Sequence, residues 1–203
     1  MPTIPMSKDL LKSFDYKYIL KFVILFVPLY YFHIAFRGIT DPKNLYSPFV
    51  DQHLNYIAWF EGSILKTSNI IVHFEGLKSY VIGNIIRIEN GASVLFWPAC
   101  AGLGIISFWI AFVVSHKLNW KIKLFWTLIG VFAIWFINTW RIAILLIALQ
   151  NRWNATRYID HHDMFNIVAY ILIIGLIYLF NSKKNKYIVS DKIETEGQRD
   201  KEN

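Results

Sequence analysis

The chain has 203 residues, of which 55% are hydrophobic, 17% aromatic and only 17% charged, with a formal net charge of +7. Soluble domains hold about 45–50% apolar and about 25% charged residues, so this composition excludes an ordinary soluble domain and points to the membrane. The positive charge does not point to nucleic acid, because no polar region carries a basic stripe with interleaved aromatics, and a single cysteine excludes an internal disulfide scaffold.

In chain order, the first apolar run of spanning length covers 18–36 and carries Lys8, Lys12, Lys17 and Lys21 before or at its start. No small-x-small cleavage site follows it before Arg37, so it reads as an uncleaved anchor rather than a removable signal peptide. The segment 50–74 is amphipathic, interrupted by Asp51, His53, Glu61 and Lys66, and reads as one or two interfacial helices. A fifth span there would upset the charge pattern. The stretches 79–82, 85–89 and 92–96 have strand-like residues, and Asn90-Gly91 is the pair favoured at a two-residue hairpin turn. Three further spans are expected at 99–114, 124–149 and 164–180, against the about 20 mostly apolar residues that cross a bilayer. The charged tail 181–203 has the composition of a disordered segment. No internal repeat stands out.

Basic residues set the orientation. The N-terminal lysines, Lys117, Lys121 and Lys123 after the second span, and Lys183, Lys184 and Lys186 after the fourth all fall on one side if there are four spans. The expected architecture is an all-α integral membrane protein of the cell (inner) membrane. It has about four transmembrane helices in one domain, 1–180, both termini cytoplasmic, and an extracytoplasmic amphipathic helical segment with a small β-hairpin.

Three polar side chains stand out against this background. Cys100 lies in Pro98-Ala99-Cys100-Ala101-Gly102, and Pro98 suits the first position of a helix. Cys100 is then expected in the first turn of the second span, where the positive end of the helix dipole favours a thiolate. Ala101 and Gly102 leave room for a substrate backbone. The ordinary reading of a free cysteine is a small buried hydrophobe. Arg141 interrupts an apolar run, and a charge in a span costs about 2.5–3.5 kcal/mol on insertion scales. Counting from Leu124, it lies about one turn below the outer boundary; Asn138, one turn further in on the same face, argues for a protein-lined cavity rather than a snorkelling anchor. His162, in Asp160-His161-His162-Asp163, ends the outer loop before the fourth span, and a carboxylate of Asp160 or Asp163 can orient the imidazole. No cofactor or metal is expected, since no Cys/His set has ligand spacing. At one level on one side, the three side chains have the chemistry of a cysteine acyl-transfer site: thiolate nucleophile, proton-transfer histidine and cationic stabiliser.

Ala99-Cys100-Ala101-Gly102-Leu103, then Asn138-x-x-Arg141-Ile142, then His162-Asp163 ahead of a helix, resembles the exosortase/archaeosortase family, in its short bacterial form, over about 81–178. The resemblance implies a membrane cysteine transpeptidase (a peptide-bond hydrolase) with an extracytoplasmic active site. Its partners would be exported proteins bearing a C-terminal sorting signal: a short motif, a transmembrane helix and a basic cluster. It further implies Cys100 as nucleophile, Arg141 as stabiliser and His162 as proton-transfer residue, with Asn138, Gly102, His161 and Asp163 in support. The choice of His162 over His161 follows the His-Asp register. Two positions depart from the family pattern: Ala101 replaces the common Ser after the cysteine, and Asn166 replaces a Gly four residues after the histidine. Two other readings remain at this stage: a non-catalytic membrane assembly subunit, and a membrane acyltransferase carrying a fatty acyl group on Cys100. No Gly-x-Ser-x-Gly elbow favours a serine protease, and no paired broken helices favour a transporter.

Overall fold

The computed structural model describes residues 16–97, 101–153 and 170–183. In chain order these form helix α1 (Tyr16–Thr40), the short α2 (Pro48–Leu54), α3 (Tyr56–Phe74), strands β1 (Ser79–Ile82), β2 (Ile85–Ile88) and β3 (Ser93–Leu95), then α4 (Leu103–Ser115), α5 (Trp120–Gln150) and α6 (Tyr170–Lys183). The chain is mostly helical, as expected.

Two of these helices, α1 and α5, are long and apolar enough to cross a membrane. No residue of α1 is buried, and Leu20, Ile24, Tyr31 and Phe32 are each more than half exposed. A helix that is apolar all round and bare on its outer surface is suited to lipid rather than water. In α5 two stripes at four-residue spacing run down opposite faces. Trp126, Gly130, Ile134, Asn138 and Ile142 are buried, while Leu128, Phe132, Phe136, Trp140 and Ile144 are exposed. The exposed stripe is wholly apolar, the inverse of a helix on a soluble protein.

α1 and α4 run antiparallel: Tyr18 meets His116 at one end, Phe22 meets Phe108 midway, and Tyr30 reaches Gly104 at the other. On its other side α4 packs on α5 through Trp109, whose Nε1–H donates to the Trp126 carbonyl at 2.9 Å. A Cβ at Gly130 would fall on the Trp109 indole, so only glycine admits this ring. Phe180 of α6 completes the cluster, edge-on to Trp109 and Trp126. Gly130→Ala is therefore expected to displace Trp109 and lower stability by about 1–3 kcal/mol, the usual effect of overpacking. The apparent melting temperature of the detergent-solubilised protein measures it.

The strands form a three-stranded antiparallel meander in the order β1-β2-β3, rather than the single hairpin expected. Two residues, Gly83 and Asn84, link Ile82 to its partner Ile85, with Gly83 at φ 57°. The second connection is not the expected two-residue turn. Ile88 N–H donates to Ala92 O and Gly91 N–H to Ile88 O, giving a three-residue loop with Asn90 alone at positive φ (56°). Gly91 is small for another reason: the Gln150 side chain fills the place a Cβ would take and accepts from Ala92 N–H at 2.9 Å. The sheet buries Ile86, Ile88 and Val94 against Ile64, Leu65 and Val72 of α3 and Ile142, Ala143 and Leu146 of α5.

Where the second span is expected, at 99–114, the structure describes the chain from Ala101 onward. α4 begins at Leu103, with Gly102 as its N-cap in the left-handed region at φ 73°. A left-handed residue cannot continue a right-handed helix, so α4 starts after Gly102; the expected place of Cys100 in a helical first turn lies outside the described residues. The second and fourth apolar helices are also short by length, at 13 and 14 residues among those described.

Candidate active site

The site is built where α5 meets the chain just ahead of α4. Asn138 is buried, and its Nδ2 donates to the carbonyl of Ala101 at 3.1 Å. A buried amide must find partners, and here it finds one in the backbone just ahead of α4. A Cβ on Gly102 would come within 2.9 Å of Asn138 Nδ2 and 3.1 Å of Ile134 Cγ2. Gly102 is thus required twice, by its positive φ and by the approach of α5. Ala101 is fully buried. Cys100 precedes this clamped pair in the chain and lies outside the described residues, as do His161, His162 and Asp163.

α3 is tied to α5 by two hydrogen bonds at parallel register: Trp135 Nε1–H donates to Ser63 Oγ (3.0 Å), and Ser68 Oγ–H to the Thr139 carbonyl (2.9 Å). The segment 50–74 therefore holds a helix standing lengthwise beside α5, rather than only an amphipathic helix lying across a surface. Its first half delivers two polar groups to α1. Glu61 pairs with Arg37 at 2.8 Å, and Tyr56 Oη shares a 2.6 Å hydrogen bond with His33 Nδ1. Burial pushes the Glu61 carboxyl above its ordinary value, and the Arg37 guanidinium opposes that shift.

His33 and Arg37 line a cleft of about 500 Å³ together with Tyr30, Gly102, Leu103 and Ile105. It lies between α1 and the start of α4, and opens beside the residue that caps α4. Arg141 lies elsewhere. One turn along α5 from Asn138, it lines a second groove of about 340 Å³ with Phe136, Trp140, Ile144, Leu172 and Leu176. Among the described residues, then, the expected Gly102 and Asn138 are brought together, and Arg141 occupies a neighbouring apolar groove between α5 and α6.

Residues 21–179, which carry this geometry, match the transmembrane exosortase family. The chain belongs to that family. The matched region takes in α2 to α5 and most of α1 and α6, and the exosortase resemblance carried by the cysteine, arginine and histidine motifs is confirmed at the level of the family. Family membership implies a transpeptidase that cleaves sorting signals, with substrates that carry such signals at their C-terminus. No match was found among curated proteins or solved structures.

Four polar residues at or beside this cleft were not picked out in the sequence: His33, Tyr56 and the pair Arg37–Glu61. A signal did exist. His33 and Arg37 are one helical turn apart at the end of an apolar run, and polar groups so placed share a face. Their partners Tyr56 and Glu61 could not be assigned without the α1–α3 packing. Among the described residues no group of three or more His, Cys, Asp or Glu stands together as metal ligands would.

Proposed function

We propose that this exosortase is a cysteine transpeptidase that cuts exported proteins at a C-terminal sorting signal and passes the new C-terminus to an acceptor. Cys100 is the nucleophile, Arg141 the electrostatic stabiliser and His162 a proton-transfer residue. The observation that carries this reading is the Asn138–Ala101 hydrogen bond, with Gly102 seated against α5. It holds the backbone beside Cys100 to the helix that bears Arg141. A nucleophile needs such a rigid mount, because a misplacement of about 1 Å can cost about a hundredfold in rate.

The depth of the site supports the same reading. In the four-span arrangement α1, α4, α5 and α6 cross the bilayer, with both termini and the Lys117–Lys123 turn cytoplasmic by the positive-inside rule. α4 then rises about 20 Å from the cytoplasmic edge to Leu103, which leaves Gly102 about 10 Å short of the far edge of a hydrocarbon core about 30 Å thick. Counting along α5 from Leu124 places Asn138 at the same depth. The sheet and the last three turns of α5 stand above the site on the extracytoplasmic side. A recessed nucleophile at this level suits a scissile bond near the outer end of a substrate's transmembrane helix.

The intermediate decides between this reading and the acyltransferase. Acid quenching during turnover, followed by mass analysis of the Cys100 peptide, is expected to reveal a thioester-linked peptide from the exported protein. A fatty acyl group in its place would establish the acyltransferase, and an unmodified thiol under all trapping conditions would favour an assembly subunit.

A further inference from the structure

The meander buries one face against α3 and α5 and leaves the other exposed. Strand alternation puts Tyr80, Ile82, Ile85, Arg87, Ser93 and Leu95 on that outer face. The register sorts them into two rows: Ile82, Ile85 and Leu95 stand side by side in one, and Tyr80, Arg87 and Ser93 in the other. Trp97, two residues past Leu95 and 65% exposed, extends the apolar end. A hollow of about 140 Å³ lined by Tyr80, Ile82, Ile85 and Arg87 joins the rows. The two ends of the sheet also differ in height along α5. The loop from β2 to β3 lies against Gln150, the last residue of α5, which accepts from Ala92 N–H. Gln150 is about 18 Å further along that helix than Asn138. The opposite end carries the Gly83-Asn84 turn and Trp97, from which about 17 Å of extended chain leads to Gly102. The apolar row is thus at the end toward the site, and the polar row at the end toward water.

We propose that the outer face of the meander is a membrane-docking surface, seated in the interfacial layer of the extracytoplasmic leaflet. Ile82, Ile85, Leu95 and Trp97 dip toward the acyl chains, and Tyr80 and Arg87 meet the lipid phosphates. An exposed apolar patch rimmed by polar groups marks such a surface, and Trp and Tyr concentrate at the headgroup level. The order of the rows selects lipid as the occupant. A protein partner has no need of an apolar-to-polar gradient along the membrane normal, whereas a bilayer surface imposes one. The bilayer also reaches this height: the exposed apolar stripe of α5 runs up to Ile144, level with Ile142, Ala143 and Leu146, on which the sheet packs. In the headgroup layer, water can satisfy the free edges of β1 and β3, as hydrocarbon could not. The placement rests on the four-span orientation given above and on no catalytic role.

The test uses the full-length protein with Cys100→Ala, which leaves no cysteine, combined in turn with Ile82→Cys, Leu95→Cys, Glu89→Cys or Ser93→Cys. All four positions are exposed, so none of these changes disturbs the core. Each protein is spin-labelled and reconstituted in vesicles of phosphatidylcholine and phosphatidylglycerol. Collisions with oxygen, which concentrates in lipid, are measured against collisions with a nickel chelate confined to water. The oxygen-to-nickel ratio is expected to be severalfold higher at positions 82 and 95 than at 89 and 93. Equal ratios at the four positions overturn the proposal, because the face then stands in water. Low collision rates with both reagents at 82 and 95 overturn it as well, because protein then covers the face, a second copy if dilution in excess lipid restores the rates. In cells with a sealed inner membrane, an impermeant maleimide is expected to label Glu89→Cys from outside. Labelling only after that membrane is opened removes the four-span orientation itself, so the two failures are distinguishable.

Discussion

Cys100→Ala is expected to abolish processing of a reporter with an appended sorting signal, by at least about a thousandfold, the order seen when a covalent nucleophile is removed. Its membrane level should match the wild type. The reason lies in how this stretch of chain is held. Asn138 binds the backbone carbonyl of Ala101, and Gly102 docks through its missing Cβ, so neither contact uses the side chain at position 100. Cys100→Ser should be nearly as inactive, because a hydroxyl ionises far less readily than a thiol. Processing is read from the shift between full-length and cleaved reporter, and protein level from the same membranes. Normal cleavage by Cys100→Ala rules out the covalent mechanism, and a silent Ala variant alongside disruptive changes across 50–74 would instead support an assembly subunit.

The second large effect is expected at Gly102. Any side chain there meets a backbone at φ 73° and a Cβ contact of 2.9 Å with Asn138 Nδ2. Left-handed geometry costs a non-glycine residue about 1–2 kcal/mol, which the fold tolerates. The displacement of Asn138 from the Ala101 carbonyl is the more serious consequence for activity. Gly102→Ala should reduce processing by about a hundredfold, in line with a shift of about 1 Å in the nucleophile's mount, while the protein still reaches the membrane. Asn138→Ala alone should give a smaller loss. The double variant Gly102→Ala/Asn138→Ala should be more active than Gly102→Ala, since removing the amide relieves the clash. Coupling of this sign is what contacting residues produce in a double-mutant cycle. Strict additivity would mean that the two residues do not act through the contact seen here.

The apolar composition, the apolar run near the N-terminus and the long third run were legible because lipid demands length and hydropathy, both carried by local sequence. α1 and α5 follow those expectations closely. So did the strand-like character of 79–96, since alternating β-branched residues report a half-buried strand. The turn at Gly83-Asn84 went unread, and the role of Gly91 was misassigned. The pair Asn90-Gly91 fits a tight turn locally, but Gly91 is small because Gln150, remote in sequence, lies against it. Pro98 and Cys100 lie outside the described residues, and what local sequence did not reveal is that α4 starts behind a left-handed Gly102 seated against α5.

The sequence by itself determined that this chain is an apolar, lipid-suited helical protein, and its motifs were enough to identify the exosortase family. Those properties rest on composition, run length and short ordered motifs, each written in consecutive residues. Only the tertiary structure decided that Gly102 seats against Asn138, that Arg141 faces a groove shared with α6, and that His33 and Arg37 meet Tyr56 and Glu61 beside the same cleft. Each is a contact between helices far apart in the chain. It depends on which faces pack together, and no local pattern of residues encodes that pairing.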